Sequence, residues 1–327
     1  MKKVVANPVA RFEELAPGRR LISTSVDWFG NPVLLFADET ELAAKAMGAE
    51  DENDFSPPFR KRDVVFRLVE GAWRRRNFEH DRRNFFFAQP LPNEWWLLVE
   101  STTYEQTEQN ACVYSTDGVQ VRSFALGDAV ENLQTTEDGK IWVGYFDEGV
   151  FSDPLSSVGA ACFDSQGMRL FDYRKLADSE NLPAVDDCYA MNVESGESVW
   201  LCYYSDFPLV HLSGFQLNRI WRNVPVGGAK AFGLGKNGNV ILAGGYVKAD
   251  VDALAESTDL NGIVRSVAEG QGLLYLLNLD FMRFTQMVAV DSQGQPIAFR
   301  RAAGRGSYLY LETPDALFMV NCLEVSY

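Results

Sequence analysis

The sequence predicts an all-β fold, because one short pattern recurs along the whole chain. In the stretch "TTEDGKIWVGYFDEGVF" (135–151), the turn Asp138-Gly139 comes directly before the apolar run 141–143. A comparable turn precedes an apolar run at five further places, roughly 50 residues apart, which is typical of repeat architectures. The six turns are Gly30-Asn31, Asn93-Glu94, Asp138-Gly139, Ser195-Gly196, Asn237-Gly238 and Gln293-Gly294.

A second pattern gives each repeat four strands. A glycine turn ends another short apolar run in "ACVYSTDG" (111–118) and "ACFDSQG" (161–167), and a further β-like segment follows each. Four-stranded antiparallel units at this period are typical of propeller blades. We therefore expect a six-bladed β-propeller, a single domain over 1–327 with approximate blades 12–78, 79–127, 128–176, 177–225, 226–280 and 281–327.

The repeat pattern also predicts local details. Asp138-Gly139 should form a two-residue hairpin turn, because Gly supplies positive φ. Trp142 and Trp200 hold equivalent positions in neighbouring units and should be buried between blades. The last unit, from about residue 284, should supply all four of its own strands. That leaves "KKVVANPV" (2–9) either as an outer edge strand or as a mobile end.

Two long connections should lie over the same face of the ring. Residues 38–61 contain "DETELAAKAMGAE" and residues 246–261 contain "KADVDALAES", both with the composition of a short helix. Asp38 or Thr40 suits the N-cap of the first, and Glu39 and Glu41 suit its first turn. This loop-rich face is where we expect a ligand or a protein partner to bind.

Charge and cysteine usage exclude several classes of function. The net charge of −15 argues against nucleic acid, whose phosphates need Lys and Arg, and against an anionic membrane surface. The N-terminal stretch has no apolar core of a secretory signal, and no run approaches the length of a membrane helix. Five scattered cysteines are typical of buried, reduced thiols. The sequence predicts a cytoplasmic protein.

No catalytic constellation stands out. The literal G-x-G-x-x-G at 233–238 precedes the strand-like "NVILAGGY" rather than a helix, so it indicates a hairpin and not a dinucleotide site. Of the two histidines, His80 should lie in a loop, and His211 should be a structural residue of a third strand. A G-x-S-x-G motif is absent from the sequence. Whether the protein is an enzyme stays open.

The innermost strands should bring charged residues together around the central channel. They are expected to begin near Arg20, Asn84, Asn132, Asp186-Asp187, Lys230 and Arg283. Asn132, Asp186 and Asp187 offer oxygen ligands for a divalent cation such as calcium, but the basic residues of the same ring would repel it. Salt bridges across the channel and a small polar ligand with both charges are the alternatives.

Acidic and aromatic side chains alternate at the outer mouth. The residues expected to bind a ligand are Tyr145, Asp147, Glu148, Tyr204, Asp206 and Tyr246, which follow second strands in neighbouring units. Such a rim should favour cationic or polyhydroxylated ligands over phosphates, because walls of low dielectric focus its negative field.

The stretch 131–167 resembles the repeat of two-component-regulator propellers. Its core is matched by Asp138, Gly139, Ile141, Trp142, Val143, Gly144, Phe163 and Asp164, and more faintly by Gly196, Val199 and Trp200. The count of six units is also similar to that of gluconolactonase and regucalcin-like propellers, a resemblance that implies a divalent cation in the channel. The first hypothesis is a non-enzymatic propeller that binds a ligand or partner. The alternatives are a metal-dependent lactonase-type hydrolase and a scaffold without a small-molecule site.

Overall fold

Six four-stranded antiparallel sheets form a closed ring, as the repeats predicted. The computed structural model describes residues 2–38, 60–81, 83–105, 108–248 and 272–326. From the innermost to the outermost strand, the first blade contains β3 (Arg19–Val26), β4 (Pro32–Asp38), β5 (Arg60–Val69) and β6 (Ala72–Asp81). The second contains β7 (Phe85–Leu91), β8 (Trp95–Glu100), β9 (Ala111–Tyr114) and β10 (Gln120–Phe124). The third contains β11 (Val130–Thr135), β12 (Ile141–Tyr145), β13 (Ala160–Phe163) and β14 (Arg169–Asp172).

The remaining blades keep the same order. The fourth contains β15 (Asp187–Val193), β16 (Ser198–Tyr204), β17 (Leu209–Ser213) and β18 (Gln216–Trp221). The fifth contains β20 (Ala231–Leu234), β21 (Asn239–Ala243), β23 (Leu273–Asn278) and β24 (Arg283–Val290), with the short ribbon β19 (Val226–Gly227) and β22 (Tyr246–Val247) beside it. The sixth contains β25 (Arg301–Arg305), β26 (Tyr308–Glu312), β27 (Ala316–Asn321) and β2 (Asn7–Arg11).

Helices are few and short in the described part of the chain. The α-helices are α1 (Phe12–Leu15), α2 (Asp147–Ser152) and α3 (Tyr173–Glu180). Single 3₁₀ turns occupy Pro92–Glu94, Ser156–Val158 and Cys322–Glu324. No helix of the described residues has the length and apolar character that crossing a bilayer requires.

The N-terminal segment closes the ring. Strand β1 (Lys2–Val5) runs parallel to β24 at the outer edge of the fifth blade, and β2 pairs antiparallel with β27. The expectation that the last unit supplies all four strands was therefore wrong, since β24 belongs to the fifth blade and β2 provides the fourth strand of the sixth. Of the two alternatives for "KKVVANPV", the outer edge strand is confirmed.

Five of the six predicted turns join an innermost strand to the second strand of its blade, and the sixth does not. Gly294 closes a turn after β24 by donating its amide to the carbonyl of Asp291. The hairpin of the sixth blade instead contains Gly306 and Ser307, between β25 and β26. The two-residue turn at Asp138-Gly139 was also wrong: Thr136 and Lys140 close a longer loop, with Gly139 at φ 86°. Glycine with positive φ is usual at that place in a three-residue hairpin loop.

The alternation of strands defines two faces of the ring. Innermost strands begin on one face, here called the mouth face, and end on the other, here called the hairpin face. The two long connections link second to third strands, so they begin and end on the mouth face. The helices expected in "DETELAAKAMGAE" and "KADVDALAES" lie outside the described residues, apart from Asp38 and Lys248.

Trp142 and Trp200 differ in burial, although they lie at equivalent positions. Trp142 is 1% exposed and contacts Phe171 of its own blade and Phe215 of the next. Trp200 is only partly buried and stacks between His211 and Trp221 of its own blade. The prediction of burial between blades is confirmed for Trp142. Trp200 packs against the apolar cluster shared by the fourth and fifth blades, but it is only partly buried.

We expect this difference to appear in stability. Trp142→Ala should lower the free energy of unfolding by about 3–5 kcal/mol, as large aromatic truncations in cores do. Trp200→Ala should cost about 2 kcal/mol, since it removes less buried apolar area. Denaturant titration of both variants checks this order. Equal midpoints for the two variants would contradict the assignment of Trp142 to the interface between blades.

Candidate functional site

Three buried amide side chains close the channel toward the hairpin face. Gln134 of the third blade donates to the carbonyls of Met191 (3.1 Å) and Gly304 (2.9 Å), in the fourth and sixth blades. Asn192 of the fourth blade donates to Phe232 in the fifth (2.9 Å) and accepts from the amide of Gly306 in the sixth (2.7 Å).

Gln89 provides the third buried amide, on the other side of the ring. Gln89 of the second blade donates to the carbonyl of Val26 in the first (3.3 Å) and accepts from the hydroxyl of Thr135 in the third (3.2 Å). All six blades are therefore joined by side-chain amides, here called the amide floor (Gln89, Gln134 and Asn192). Buried polar networks of this kind stabilise one arrangement when every member is satisfied.

Above the amide floor, the channel widens into a cavity of about 300 Å³ that opens on the mouth face. Residues from the innermost strands of all six blades line this channel pocket. They include Thr24, Phe86, Glu131, Asn132, Tyr189, Met191, Lys230, Arg300 and Arg301, together with Glu312 of β26. The volume is at the lower end of the range usual for small-molecule sites.

One charged network in the wall is built into the structure. Glu312 is 6% exposed and accepts hydrogen bonds from Arg301 Nε (2.7 Å) and the hydroxyl of Thr24 (2.8 Å). Arg301 also donates to the carbonyl of Ile22 in the first blade. This network joins the sixth blade to the first, so its charges are already paired.

The other charges of the pocket are held less tightly. Lys230 Nζ lies 3.3 Å from Glu131 Oε1, and their side chains are 49% and 38% exposed. This pair connects the fifth blade to the third, and Lys230 also lies 4.0 Å from the ring centroid of Tyr189 in the blade between them. Arg300 is exposed and forms no ion pair with any described residue. The pocket thus combines a loosely held opposite-charge pair with one further cation.

Asp187 lies near Lys230 and Glu131, but it is less accessible to water. The residue is 5% exposed, and its Oδ1 has no hydrogen-bond partner within the described ranges. Burial raises the pKa of its carboxyl to about 6. The positive charge of Lys230 lowers this pKa, and the negative charges of Glu131 and Asp147 raise it. A carboxyl that titrates near neutral pH beside a cavity is typical of functional sites.

An aromatic cluster extends the pocket across the mouth face. The ring of Tyr189 lies 4.9 Å from that of Phe207, which in turn contacts Tyr204 (5.6 Å) and Tyr246 (6.1 Å). Lys248 Nζ lies 5.8 Å from the Phe207 ring and donates to the carbonyl of Asp206. The predicted residues Tyr204, Asp206 and Tyr246 therefore lie together, around a phenylalanine that the sequence analysis did not select.

The other predicted rim residues lie in different surroundings. Tyr145 is fully buried, and its hydroxyl donates to the carbonyl of Leu126, so it faces a core rather than the mouth. Asp147 and Glu148 begin α2 and are exposed. Asp147 is close enough to Asp187 to affect its pKa. Whether any of these residues binds a ligand stays a prediction.

The three predicted metal ligands meet only part of the requirements of a metal site. Asn132 lines the pocket, but its amide nitrogen donates to the carbonyl of Cys188 (2.7 Å). Asp186 is half-buried, with its backbone amide bonded to Tyr204. Among the described residues, no group of three or more His, Cys, Asp or Glu side chains could hold a metal ion. Lys230 next to Asp187 adds repulsion for a cation. The metal site stays a prediction.

The predicted starts of the innermost strands were correct for five blades and wrong for the sixth. Of the residues predicted to form the channel ring, Asn132 and Lys230 are among the described residues that line the pocket. Arg283 begins an outermost strand, because the sixth repeat had been placed one strand too early, and Arg301 holds the corresponding position. Because of that shift, Arg300, Arg301 and Glu312 were not predicted to line the channel. Glu131 was missed although it adjoins the selected Asn132.

The remaining motifs are structural. His80 lies in β6 rather than a loop, is 6% exposed, and contacts Asp63 Oδ2 at 3.0 Å. His211 lies in β17, as expected, between the hydroxyl of Ser198 and the amide of Asn218, each 2.8 Å away. The G-x-G-x-x-G sequence spans the hairpin between β20 and β21. All five cysteines are free and buried.

Comparisons with known proteins give one partial family match and structural likenesses of low identity. The model of the YxzG family matches residues 160–243. No curated protein matches the chain. One solved structure, titled as a gluconolactonase from Xanthomonas campestris, is 11% identical with a TM-score of 0.42, and 96% of each chain is covered.

A second solved structure is titled as a quinoprotein alcohol dehydrogenase-like protein from Bacteroides thetaiotaomicron. It is 11% identical with a TM-score of 0.34, and the match covers 81% of this chain and 68% of that one. Neither likeness carries information on activity. The fold and site define the chain as a six-bladed β-propeller with a polar channel pocket above a layer of buried amides.

The raised pKa of Asp187 predicts a pH dependence of stability. The folded state holds this proton more tightly than the unfolded state, so stability falls as pH rises from about 4 to about 6 and stays reduced above that window. Asp187→Asn should remove the dependence. The melting temperature of the variant relative to wild type should therefore increase between pH 4 and pH 7.

Asp186→Asn is the matched control, because Asp186 is the half-buried neighbour. Thermal unfolding in steps of pH measures both variants. If Asp187→Asn and wild type keep a constant difference across the window, Asp187 is not the desolvated carboxyl inferred here.

Proposed function

We propose that this protein binds a small polar molecule in the channel pocket, without chemical conversion. The observation that carries the proposal is the cavity of about 300 Å³ to which all six blades contribute, above the amide floor. A ligand entering from the mouth face would be surrounded by innermost strands whose positions are fixed. Such preorganisation lowers the cost of ordering a site on binding.

The charges of the wall select the kind of molecule. Arg300 and Lys230 offer cationic donors, and Glu131 and Asn132 offer acceptors, at positions that open into the cavity. A ligand with one carboxylate and several hydroxyl or amino groups would satisfy both. The Arg301–Glu312 network would hold the wall without contributing a free charge, because its members already bond to one another and to Thr24.

The aromatic cluster around Phe207 supplies the outer part of this site. Tyr204 is 48% exposed and Tyr246 is 40% exposed, so both offer ring surface on the mouth face. Asp206, Asp147 and Glu148 would make this outer part negative and would disfavour phosphorylated ligands. A protein partner that covers the same loop-rich face is the other form of the binding hypothesis.

A thermal-shift screen tests the proposal, because a ligand that binds only the folded state raises the melting temperature. The panel contains hydroxylated carboxylates, amino acids, neutral sugars, polyamines and phosphorylated compounds. We expect stabilisation by hydroxylated carboxylates or amino acids. Arg300→Gln combined with Lys230→Met should abolish the shift, since the pair removes the two cations of the pocket that lie outside the Arg301–Glu312 network.

The triple variant Asp147→Asn, Glu148→Gln, Asp206→Asn is the control for the rim. Loss of the shift in the triple variant alone would place the ligand on the outer rim rather than in the channel pocket. Stabilisation only by phosphorylated compounds, or by no small molecule in the panel, would contradict the proposal.

The alternative is a metal-dependent hydrolase of lactonase type, with a cation bound by Asn132, Asp186 and Asp187. The observation that favours it is the unpartnered, desolvated carboxylate oxygen of Asp187 at the mouth. One equivalent of calcium or another divalent cation after purification, lost with chelator together with a fall in melting temperature, is expected under this alternative. Elemental analysis showing less than about one tenth of an equivalent, with no response to added calcium, excludes it and favours the binding proposal.

A further inference from the structure

A second cavity lies at the opposite end of the channel, on the hairpin face. Its volume is about 300 Å³, and it is lined by residues of hairpins from four blades. Trp28 and Phe29 belong to the first hairpin, Glu194 to the fourth, Leu234 ends the innermost strand of the fifth, and Arg305 and Tyr308 flank the sixth. The amide floor separates this hairpin-face pocket from the channel pocket.

Arg305 is the unusual member of this pocket. The residue is 2% exposed, and neither Nε nor Nη2 has a hydrogen-bond partner among the residues that the structure describes. Its remaining nitrogen, Nη1, makes a long bond of 3.4 Å to the carbonyl of Val26. Burial lowers the pKa of the guanidinium to about 10, so it is still charged at neutral pH. A buried charge without partners is costly.

The carboxylate whose charge acts on Arg305 is that of Asp27, and its oxygens bond to other groups. Asp27 Oδ2 accepts from Arg67 Nε at 2.6 Å and from Asn31 Nδ2 at 3.1 Å. Its Oδ1 accepts from the backbone amides of Phe29 (2.9 Å) and Asn31 (2.8 Å). Asp27 is therefore committed to Arg67 and to its own hairpin, and it lessens the cost of burying Arg305 only through its field.

A second donor of the same pocket also has no partner. The indole Nε1 of Trp28 is buried and makes no hydrogen bond in the described part of the chain. The ring itself is held in place, with the Arg67 guanidinium 5.3 Å from its centroid and Phe29 at 5.9 Å. Two side chains with buried, unused donors thus line one cavity.

The remaining wall is apolar and partly open. Phe29 is 60% exposed, and Tyr308 and Leu234 add further apolar surface. Among the described residues that line the pocket, one carries a carboxylate, Glu194, which accepts from the hydroxyl of Ser198 at 2.8 Å. Glu194 would repel a dianion such as a phosphate more than a singly charged carboxylate.

We propose that the hairpin-face pocket is a second binding site, for a small carboxylate with a planar apolar body. The fork of Arg305 matches the two oxygens of a carboxylate, and Trp28 Nε1–H can donate to the same group, once both side chains turn their covered donor atoms toward the cavity. The apolar body would lie against Phe29 and Tyr308. Binding at this site does not depend on the channel pocket, so the proposal for one pocket can be wrong while the proposal for the other holds.

Calorimetric titration with phenylacetate and indole-3-acetate tests the proposal, with phenylacetamide and phenyl phosphate as probes of charge. The carboxylates should bind, and the neutral amide should bind at least about tenfold more weakly, because it leaves Arg305 unpaired. Phenyl phosphate should also bind more weakly than phenylacetate. Equal affinity for the amide and the carboxylate would overturn the proposal.

Three variants assign the effect to this pocket. Arg305→Met should abolish carboxylate binding and should leave the melting temperature of the ligand-free protein equal to or above that of wild type, because it removes an unpaired buried charge. Trp28→Phe should weaken binding without lowering the melting temperature. Arg174→Met, on the exposed side of α3 and outside both pockets, is the matched control and should leave carboxylate binding unchanged.

The result that would overturn the proposal is a clearly lower melting temperature of ligand-free Arg305→Met, which would make Arg305 a structural residue. Unchanged carboxylate binding in both Arg305→Met and Trp28→Phe would overturn it as well, even if both variants fold normally. Binding lost in Arg300→Met but not in Arg305→Met would move the carboxylate to the channel pocket.

Discussion

Hydrogen bonds of buried side-chain amides across the channel floor fix the positions of the innermost strands, and the other features of this propeller depend on those positions. Gln134 reaches from the third blade to Gly304 of the sixth, on the far side of the ring, and Asn192 reaches Gly306. Because their partners are backbone groups of other blades, these side chains fix the separation of the innermost strands directly. Apolar contacts between blades give most of the burial, but they are not directional.

The amide floor also divides the channel into two sites of different character. Toward the mouth face, the wall carries accessible opposite charges at Glu131 and Lys230 and an exposed cation at Arg300. Toward the hairpin face, one buried cation, Arg305, lies among aromatic side chains. The first pocket suits a hydrated polar ligand, and the second suits a molecule with an apolar body and one anionic end. A continuous solvent channel would have screened the charges of both.

The architecture could be predicted from the sequence because turns and apolar strands repeat locally. Trp142 and Asp138-Gly139 carry that signal within a few residues of chain. Closure of the ring could not be predicted in the same way, since β2 pairs with β27 across almost the whole length of the sequence. The error in the sixth blade follows from the same cause: without β2, the last repeat had to take β24 as its own strand. The loss of Arg300 and Arg301 from the predicted site was a direct consequence.

Side-chain burial was the second limit of the sequence analysis. Tyr145 and Tyr204 were both expected at the rim, yet one is buried beside Leu126 and the other is exposed near Phe207. Because Trp142 and Trp200 are equivalent, Tyr145 aligns with Tyr203, which is also buried, and Tyr204 lies one residue further along the strand. The importance of Arg305 likewise depends on Asp27 being bonded elsewhere, which no local pattern in "GRGSYLYLE" (304–312) indicates.

The most direct test of the account is a crystal structure of the protein soaked with whichever hydroxylated carboxylate or amino acid gives the largest thermal shift. We expect density in the channel pocket, with the ligand's anionic group against Arg300 or Lys230 and the side chains of Gln89, Gln134 and Asn192 still bonded between blades. A ligand found only outside the channel, or a solvent path running through the position of Gln134 to the hairpin face, would contradict it.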